Sequence, residues 1–252
     1  MRIKLHLRTK PQSILPFNYE YAVSAWIYKI LSSADATFAE WLHDRGYNLE
    51  NDNRKFKLFT YSKIRPATFR VIPRKGLLLG SGQAELTLSF WVDKAIQDFV
   101  VGLFMTQRLE LKTKGGAISF NITNVELLSK PNFQSVMQFW TMTPIFMSKS
   151  TADRPQPIHL SPDDAEYNTL IHRNLLGKVQ AIGVAVSDEP LSIKLLKPPK
   201  SELLRIGNTK IRAYSFDFEI AAPVPLIEMG YYAGFGGKNS ILGLGFCQVK
   251  RR

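Results

Sequence analysis

Residues 225–250 read PLIEMGYYAGFGGKNSILGLGFCQVK, and the order of elements around these glycines decides how the chain folds at its C-terminal end. The apolar PLIEMGYYA predicts a helix, and LGFCQVK predicts a strand. A nucleotide-binding glycine loop runs the other way, from strand to helix. A P-loop also needs Gly-Lys followed by Ser or Thr, with another glycine five positions before that Gly. Here Gly237-Lys238 is followed by Asn239, and the earlier position holds Tyr232. The stretch is therefore not a nucleotide-cofactor loop. Two readings remain: a tight helix-to-strand turn with glycines where φ must be positive, or a bare backbone that a large flat or anionic ligand can approach closely.

Working outward, the chain has 252 residues, which suits two domains of ordinary size or one large one, and 45% of them are hydrophobic, enough for a packed core. Its formal net charge is +12. That excess points to a polyanionic partner, nucleic acid before an anionic membrane surface. No apolar run approaches the ~20 residues a spanning helix needs. The N-terminal MRIKLHLRTK alternates Ile3, Leu5 and Leu7 with Arg2, Lys4, His6 and Arg8. That is a strand with one apolar and one basic face, not a signal peptide. A single cysteine, Cys247, forbids an internal disulfide and fits a cytoplasmic protein. Together with only four histidines, it argues against a metal site.

The first half reads strand, helix, helix, strands, helix, strands. A helix covers about 18–32, and Ser33 or Asp35 offers the N-cap of a short one through TFAEWLHD, closed by Gly46. KFKLFTYS reads as a strand, with Lys57 on the face of Phe59 and Tyr61. GLLLGSGQAELTLSFWV reads as two strands around a Gly-Ser-Gly turn. Asp93 is the expected N-cap of the next helix, and a hairpin turns at Gly115-Gly116. The pattern breaks at SKPNFQS, residues 129–135, then restarts. Ser161 is expected to cap a helix running to Gly177, and ELLRI with TKIRAYSFDFEI forms a hairpin through a type II′ turn at Gly207-Asn208. Each half thus holds about four strands and two helices. This predicts an α+β chain of two tandem ferredoxin-like (RRM-like) domains, 1–130 and 136–252, the second ending in the glycine-rich loop. The aromatic signature by which RRM sheets stack RNA bases is visible in neither half.

Chemistry near neutral pH turns first on histidine. His6 sits on a polar strand face, His159 in a Pro-rich connection and His172 in mid-helix, and all three read as surface or structural residues. His43 ends the short helix, where carbonyl dipoles favour an imidazolium, so it can serve as a general acid. Tyr28 lies off the apolar Val23/Ile27/Ile30 stripe and can present its hydroxyl to a cleft.

With those pieces in place, the chain resembles the CRISPR repeat-processing endoribonucleases of the RAMP superfamily. The likeness rests on MRIKLHL followed by LPFNYEYAVSAWIYKIL, then WLHDRGY, then KLFTYSKI, and on the closing MGYYAGFGGKNSILGLGFCQVK. It implies two ferredoxin-like domains and one metal-independent cut per repeat in pre-crRNA, with no cofactor. The Tyr of WIYKIL matches Tyr28, the His of WLHDRG matches His43, and the Lys before LFTYS matches Lys57, with Lys55 and Arg54 as fallbacks. The RNA's own 2′-OH attacks the phosphate. Tyr28 orients or deprotonates it, His43 protonates the leaving 5′-oxygen and Lys57 steadies the extra charge, with the first two roles exchangeable. The expected ends are 5′-OH and 2′,3′-cyclic phosphate. RNA contacts are expected from Gly234, Gly236, Gly237, Lys238, Asn239 and Gly243 of the loop, and from Arg205, Lys210 and Arg212 of the hairpin. Repeat RNA is the implied partner. An interference complex is left open as a second one, as is the choice between monomer and homodimer. The competing reading is a RAMP-type subunit that retains crRNA without cutting.

Overall fold

The computed structural model of the chain describes residues 1–49, 54–187, 189–206 and 209–250. It divides into two compact units, Met1–Asp44 with Tyr61–Lys130, and Arg45–Thr60 with Pro131–Arg252.

Around the first sheet the order is β1 (Arg2–Arg8), α1 (Glu20–Ala34), α2 (Ala36–Asp44), β2 (Phe59–Tyr61, which straddles the division at Thr60), β3 (Gln83–Phe90), α3 (Asp93–Thr106), β4 (Arg108–Thr113) and β5 (Gly116–Leu128). The sheet runs β2-β3-β1-β5-β4, with the short strand Arg65–Pro66 also on β3. The first strand sits between two later ones, β3 and β5, and this is the ferredoxin-like arrangement. The alternation of β1 explains why it is central. Ile3, Leu5 and Leu7 are buried, as are Val23, Ile27 and Ile30 of α1 and Ile96, Phe99 and Leu103 of α3. Each such side chain contributes roughly 1.5–3 kcal/mol by leaving water. The outer face carries Lys4 and His6, paired with Glu126 at 3.1 and 3.3 Å. Arg2, expected on that basic face, is instead buried, its Nε donating to Ser89 Oγ.

The second unit repeats the plan with β6 (Val136–Thr141), α4 (Tyr167–Gln180), β7 (Ser192–Leu195), β8 (Lys200–Ile206), β9 (Thr209–Ser215), β10 (Asp217–Ala221), α5 (Val224–Ala233), α6 (Asn239–Leu242) and β11 (Cys247–Val249). Its sheet order is β7-β10-β6-β11, while β8 and β9 pair with each other as a separate hairpin. Phe139, Phe218 and Phe235 form its aromatic centre, with ring centroids 5.4–5.6 Å apart. No helix among the described residues is long and apolar enough to cross a membrane.

Several local expectations are corrected. KFKLFTYS is a strand only over Phe59–Tyr61, because Leu58 adopts φ 55 and breaks the alternation that would put Lys57 on the face of Phe59. The two strands flanking Gly80-Ser81-Gly82 do form, but Gly76–Leu79 pairs with Ile14–Pro16 and Phe69–Ile72, and β3 joins the main sheet. Asp93 lies in the first turn of α3, with Val92 at the N-cap. The helix expected from Ser161 begins at Tyr167 and passes through Gly177 to Gln180. Asp164 takes the Ser161 amide on its own carboxylate at 2.7 Å and closes a turn there instead. TKIRAYSFDFEI is two strands, β9 and β10, which belong to different sheets. The Gly207-Asn208 turn lies outside the described residues.

Candidate active site and nucleic-acid interface

Asp35 builds the first part of the site. It is both the C-cap of α1, its amide donating to Leu31 O at 2.9 Å, and the N-cap of α2, its Oδ1 accepting from the Phe38 amide at 2.8 Å. Lys94 of α3 pairs with its other oxygen at 2.9 Å. That lysine holds the Asp35 carboxyl below its usual range, helped by the Phe38 amide. With Ala39 and Leu42 buried, α2 is fixed at this corner, and its last turn brings His43 to Tyr28. The two rings meet edge to face, centroids 5.0 Å apart at 84°. Tyr28 is half-buried. The His43 side chain is 65% exposed, and its Nδ1 faces Asp44 Oδ1 at 2.7 Å. A carboxylate at Nδ1 selects the tautomer and fixes the ring plane.

Lys57 belongs to the second unit. Tyr47 and Phe56 exchange backbone hydrogen bonds at 2.8 and 2.7 Å, closing the loop between them. The Lys57 side chain then runs over Gly46, which has φ +66. A Cβ at Gly46 would stand 3.0 Å from Lys57 Cδ and 3.1 Å from Nζ. The fallbacks lie differently. Arg54 stacks on the Phe56 ring at 5.7 Å and reaches α4 at Gly177, and Lys55 is exposed. Among the described residues no group of three or more His, Cys, Asp or Glu is arranged to hold a metal ion.

The glycine segment is woven into the second unit from both sides. The Phe235 amide donates to Gly245 O at 3.0 Å, Gly245 to Pro144 O at 2.8 Å and Gly237 to Phe146 O at 2.8 Å, while Thr143 Oγ1 donates to Gly243 O at 2.7 Å. Most of its glycines face protein. A Cβ at Gly245 would overlap the Phe235 carbonyl, one at Gly236 would stand 2.5 Å from Phe146 O, and one at Gly234 2.5 Å from Asn239 Nδ2. Gly234, Gly236, Asn239 and Gly243 are buried, whereas Gly237 is half-buried and Lys238 exposed. The two readings of the loop thus divide between its parts: the buried glycines serve internal packing, and the tip around Gly237-Lys238 is what a ligand could reach.

The basic hairpin is tied to this segment. Ile211 and Ala213 of β9 pack with Phe146, Leu242 and Leu244 into one buried cluster. Strand alternation turns Lys210 and Arg212 the other way, opposite Arg205 and Leu203 of β8, so the three cations share one exposed face. Arg212 donates through Nη1 to Ser201 Oγ at 2.9 Å and through its amide to His159 Nδ1 at 3.2 Å. His159 also meets Phe146 edge-on at 5.4 Å. Burial, and then the Arg212 charge, push its imidazole below the ordinary histidine value.

Sequence reasoning overlooked Lys178. Gly177 looked like a helix end, so the next residue fell outside α4. Lys178 is nevertheless 3% exposed, and its Nζ donates to Gly234 O at 2.6 Å, Gly236 O at 2.9 Å and Asn239 Oδ1 at 2.9 Å. Burial pushes its ammonium down to about 7.

Two ferredoxin-like units, each with a central first strand, and a glycine-rich segment locked behind a basic hairpin define a RAMP-type protein. Comparison with known proteins narrows this further. Residues 14–126 match the family model for the N-terminal part of CRISPR-associated protein Cas6, and residues 128–249 match that for its C-terminal part. The chain belongs to the Cas6 family. It is 28% identical to the CRISPR-associated endoribonuclease Cas6 1 of Methanocaldococcus jannaschii, over 99% of this chain and 92% of that one. It is also 28% identical to the CRISPR-associated endoribonuclease Cas6 of Pyrococcus furiosus, over 94% and 83%. A solved structure of a Cas6-related protein from Pyrococcus furiosus superposes with a TM-score of 0.85 over 100% of this chain and 99% of that one, at 22% identity.

Proposed function

We propose that the protein is a cytoplasmic endoribonuclease that cuts CRISPR repeat RNA once per repeat, without a metal ion, leaving 5′-OH and 2′,3′-cyclic phosphate ends. The observation that carries this reading is the Tyr28–His43 pair, two proton-handling side chains in edge contact at 5.0 Å with the imidazole oriented by Asp44. Membership of a family whose relatives are named endoribonucleases supports it. Tyr28 would orient or deprotonate the attacking 2′-OH, and His43 would give a proton from Nε2 to the departing 5′-oxygen. Such proton transfer contributes ~10²- to 10⁴-fold.

Lys57 would stabilise the charge on the phosphate oxygens. It is preferred to Arg54, whose guanidinium is engaged on Phe56. Its side chain lies over Gly46. Arg205, Lys210, Arg212 and the Gly237-Lys238 tip would hold the RNA through its phosphates.

The test is cleavage of the genome's own repeat RNA in EDTA, with a single 2′-deoxy sugar at the scissile position as control. One cut in EDTA, lost on the deoxy RNA and in His43→Ala, is the expected result. Lys57→Ala should slow the cut ~100-fold while Lys55→Ala stays within threefold. Tight binding with no cut would replace this reading with that of a crRNA-retaining subunit.

A further inference from the structure

The buried face of the glycine segment carries an assignment of its own. An ammonium has three N–H donors and no acceptor. Lys178 spends all three on the segment, on the carbonyls of Gly234 and Gly236 and on Asn239 Oδ1. Asn239 continues the hold, its Nδ2 donating to Phe235 O at 3.2 Å and Leu244 O at 2.8 Å. Two side chains therefore turn the carbonyls of residues 234, 235, 236 and 244 inward. What remains outward is Gly237, Lys238, Ser240 and Ile241, the part of the segment with solvent exposure.

We infer that Lys178 is a positioning residue for RNA: from within α4 it holds the glycine segment in the one shape whose outer tip, Gly237 to Ser240, meets the RNA. The inference rests on the reading of that tip as RNA-facing. Lys178 forms no ion pair with a described residue. The titratable and charged groups on the elements around it are Tyr167, His172 and Arg173 of α4, Glu228, Tyr231 and Tyr232 of α5, Arg54 beside Gly177, Lys238 in the loop and Cys247 of β11. None of them is a hydrogen-bond partner of its ammonium, and burial alone moves its titration. The neutral amine keeps two N–H donors for three acceptors, so deprotonation should release one contact and loosen the segment.

The experiment measures affinity for repeat RNA carrying the uncleavable 2′-deoxy sugar, single-turnover cleavage at saturating protein, and hydrogen exchange of residues 234–245. It compares wild type with Lys178→Met and Lys178→Arg. Lys178→Met is expected to speed exchange in the segment and weaken RNA binding about 10-fold, with the saturated cleavage rate within about twofold. Wild-type binding should weaken about 10-fold from pH 6 to pH 8.5. Lys178→Arg, charged throughout that range, should bind with a flat pH profile. A lysine that merely stabilises the fold would leave the RNA affinity of the folded variants, Lys178→Arg included, within about twofold of wild type, and that result overturns the inference even where Lys178→Met does not fold. Faster exchange with unchanged RNA affinity also overturns it, and separates a tip that does not touch RNA from a protein that binds no RNA at all, which would overturn the proposed function itself.

Discussion

The corner that carries Tyr28 and His43 and the segment that carries Gly234 to Gly245 are built in opposite ways. The corner is shallow. It rests on one double cap, Asp35, on a buried helix stripe and on an edge-on ring contact, and its histidine is mostly exposed. The segment is deep. Its carbonyls end on a buried ammonium and a buried amide, its amides on neighbouring main chain, and three of its glycines leave no room for a methyl group. A proton-transfer group must reach substrate and exchange with it, so it stays near solvent. If the tip of the segment holds RNA as proposed, a backbone surface of this kind has no such freedom, and its shape must be set from behind. Substitutions should therefore separate cleavage from stability at the corner and join RNA binding to stability among the buried residues of the segment.

The sharpest test of that contrast is His43→Ala. Single-turnover cleavage should fall about 1,000-fold, while the melting temperature moves by no more than about 2 °C because an exposed side chain is lost. A large thermal loss would break the comparison.

Asn239→Ala should do the reverse. It removes an acceptor from a buried ammonium, takes the donor from Phe235 O and leaves Leu244 O with Thr60 Oγ1 alone, at a cost of about 3 kcal/mol. Urea unfolding would measure it, and a loss under 1 kcal/mol would mean that the segment is held mainly by its backbone.

The buried lysine gives the segment a pH signature that the corner lacks. Its folded value, about 7, lies below the ordinary 10.5. Between those values the unfolded chain binds the extra proton, so stability rises with pH in that window and the penalty is fully felt below pH 7. From pH 7 to pH 9 the wild type should gain about 2 kcal/mol relative to Lys178→Met. Buried Tyr61 and Tyr167, whose hydroxyls are held well above their usual value, keep their protons in the folded chain, and because the unfolded chain loses them only at about pH 10 they add little slope between pH 7 and pH 9. Stability and RNA affinity should thus move in opposite directions with pH.

The smallest expected effect is at the tip. Lys238→Ala should leave stability within about 0.5 kcal/mol and lower the slope of log affinity against log salt by about one phosphate contact. Filter binding at four salt concentrations would show it. An unchanged slope would move the phosphate contacts to Arg205, Lys210 and Arg212.

Much of the architecture was legible because it is written in short-range chemistry. The alternation of Ile3, Leu5 and Leu7 marks a strand half-buried on one face, and Ser33 or Asp35 before TFAEWLHD offers an N-cap by position, of which the structure uses Asp35. The helix–glycines–strand order at the C-terminus was readable for the same reason, and residue-type matches brought Tyr28 and His43 forward as a pair that the fold then places in contact. Other features depended on partners distant in sequence. The break at Leu58 is a backbone choice that an apolar residue does not announce. Gly177 carries the appearance of a helix end, yet it sits inside α4 because the Arg54 guanidinium and the Phe56 ring fill the space beside it. Which glycines face protein and which face solvent follows from Phe146, Phe235 and Asn239, and none of these is marked by spacing.

By itself, then, the sequence determined the α+β class, the doubled ferredoxin-like order, the basic character and the residue types fit for cutting RNA, since periodicity, caps and charge are local properties. Only the tertiary structure decided that a lysine from mid-chain ends beneath the glycine segment, and that the basic hairpin stands on Leu242 and Leu244. The physical reason is that a buried polar group is specified by its acceptors, and the acceptors of Lys178 lie 56 to 61 residues away along the chain.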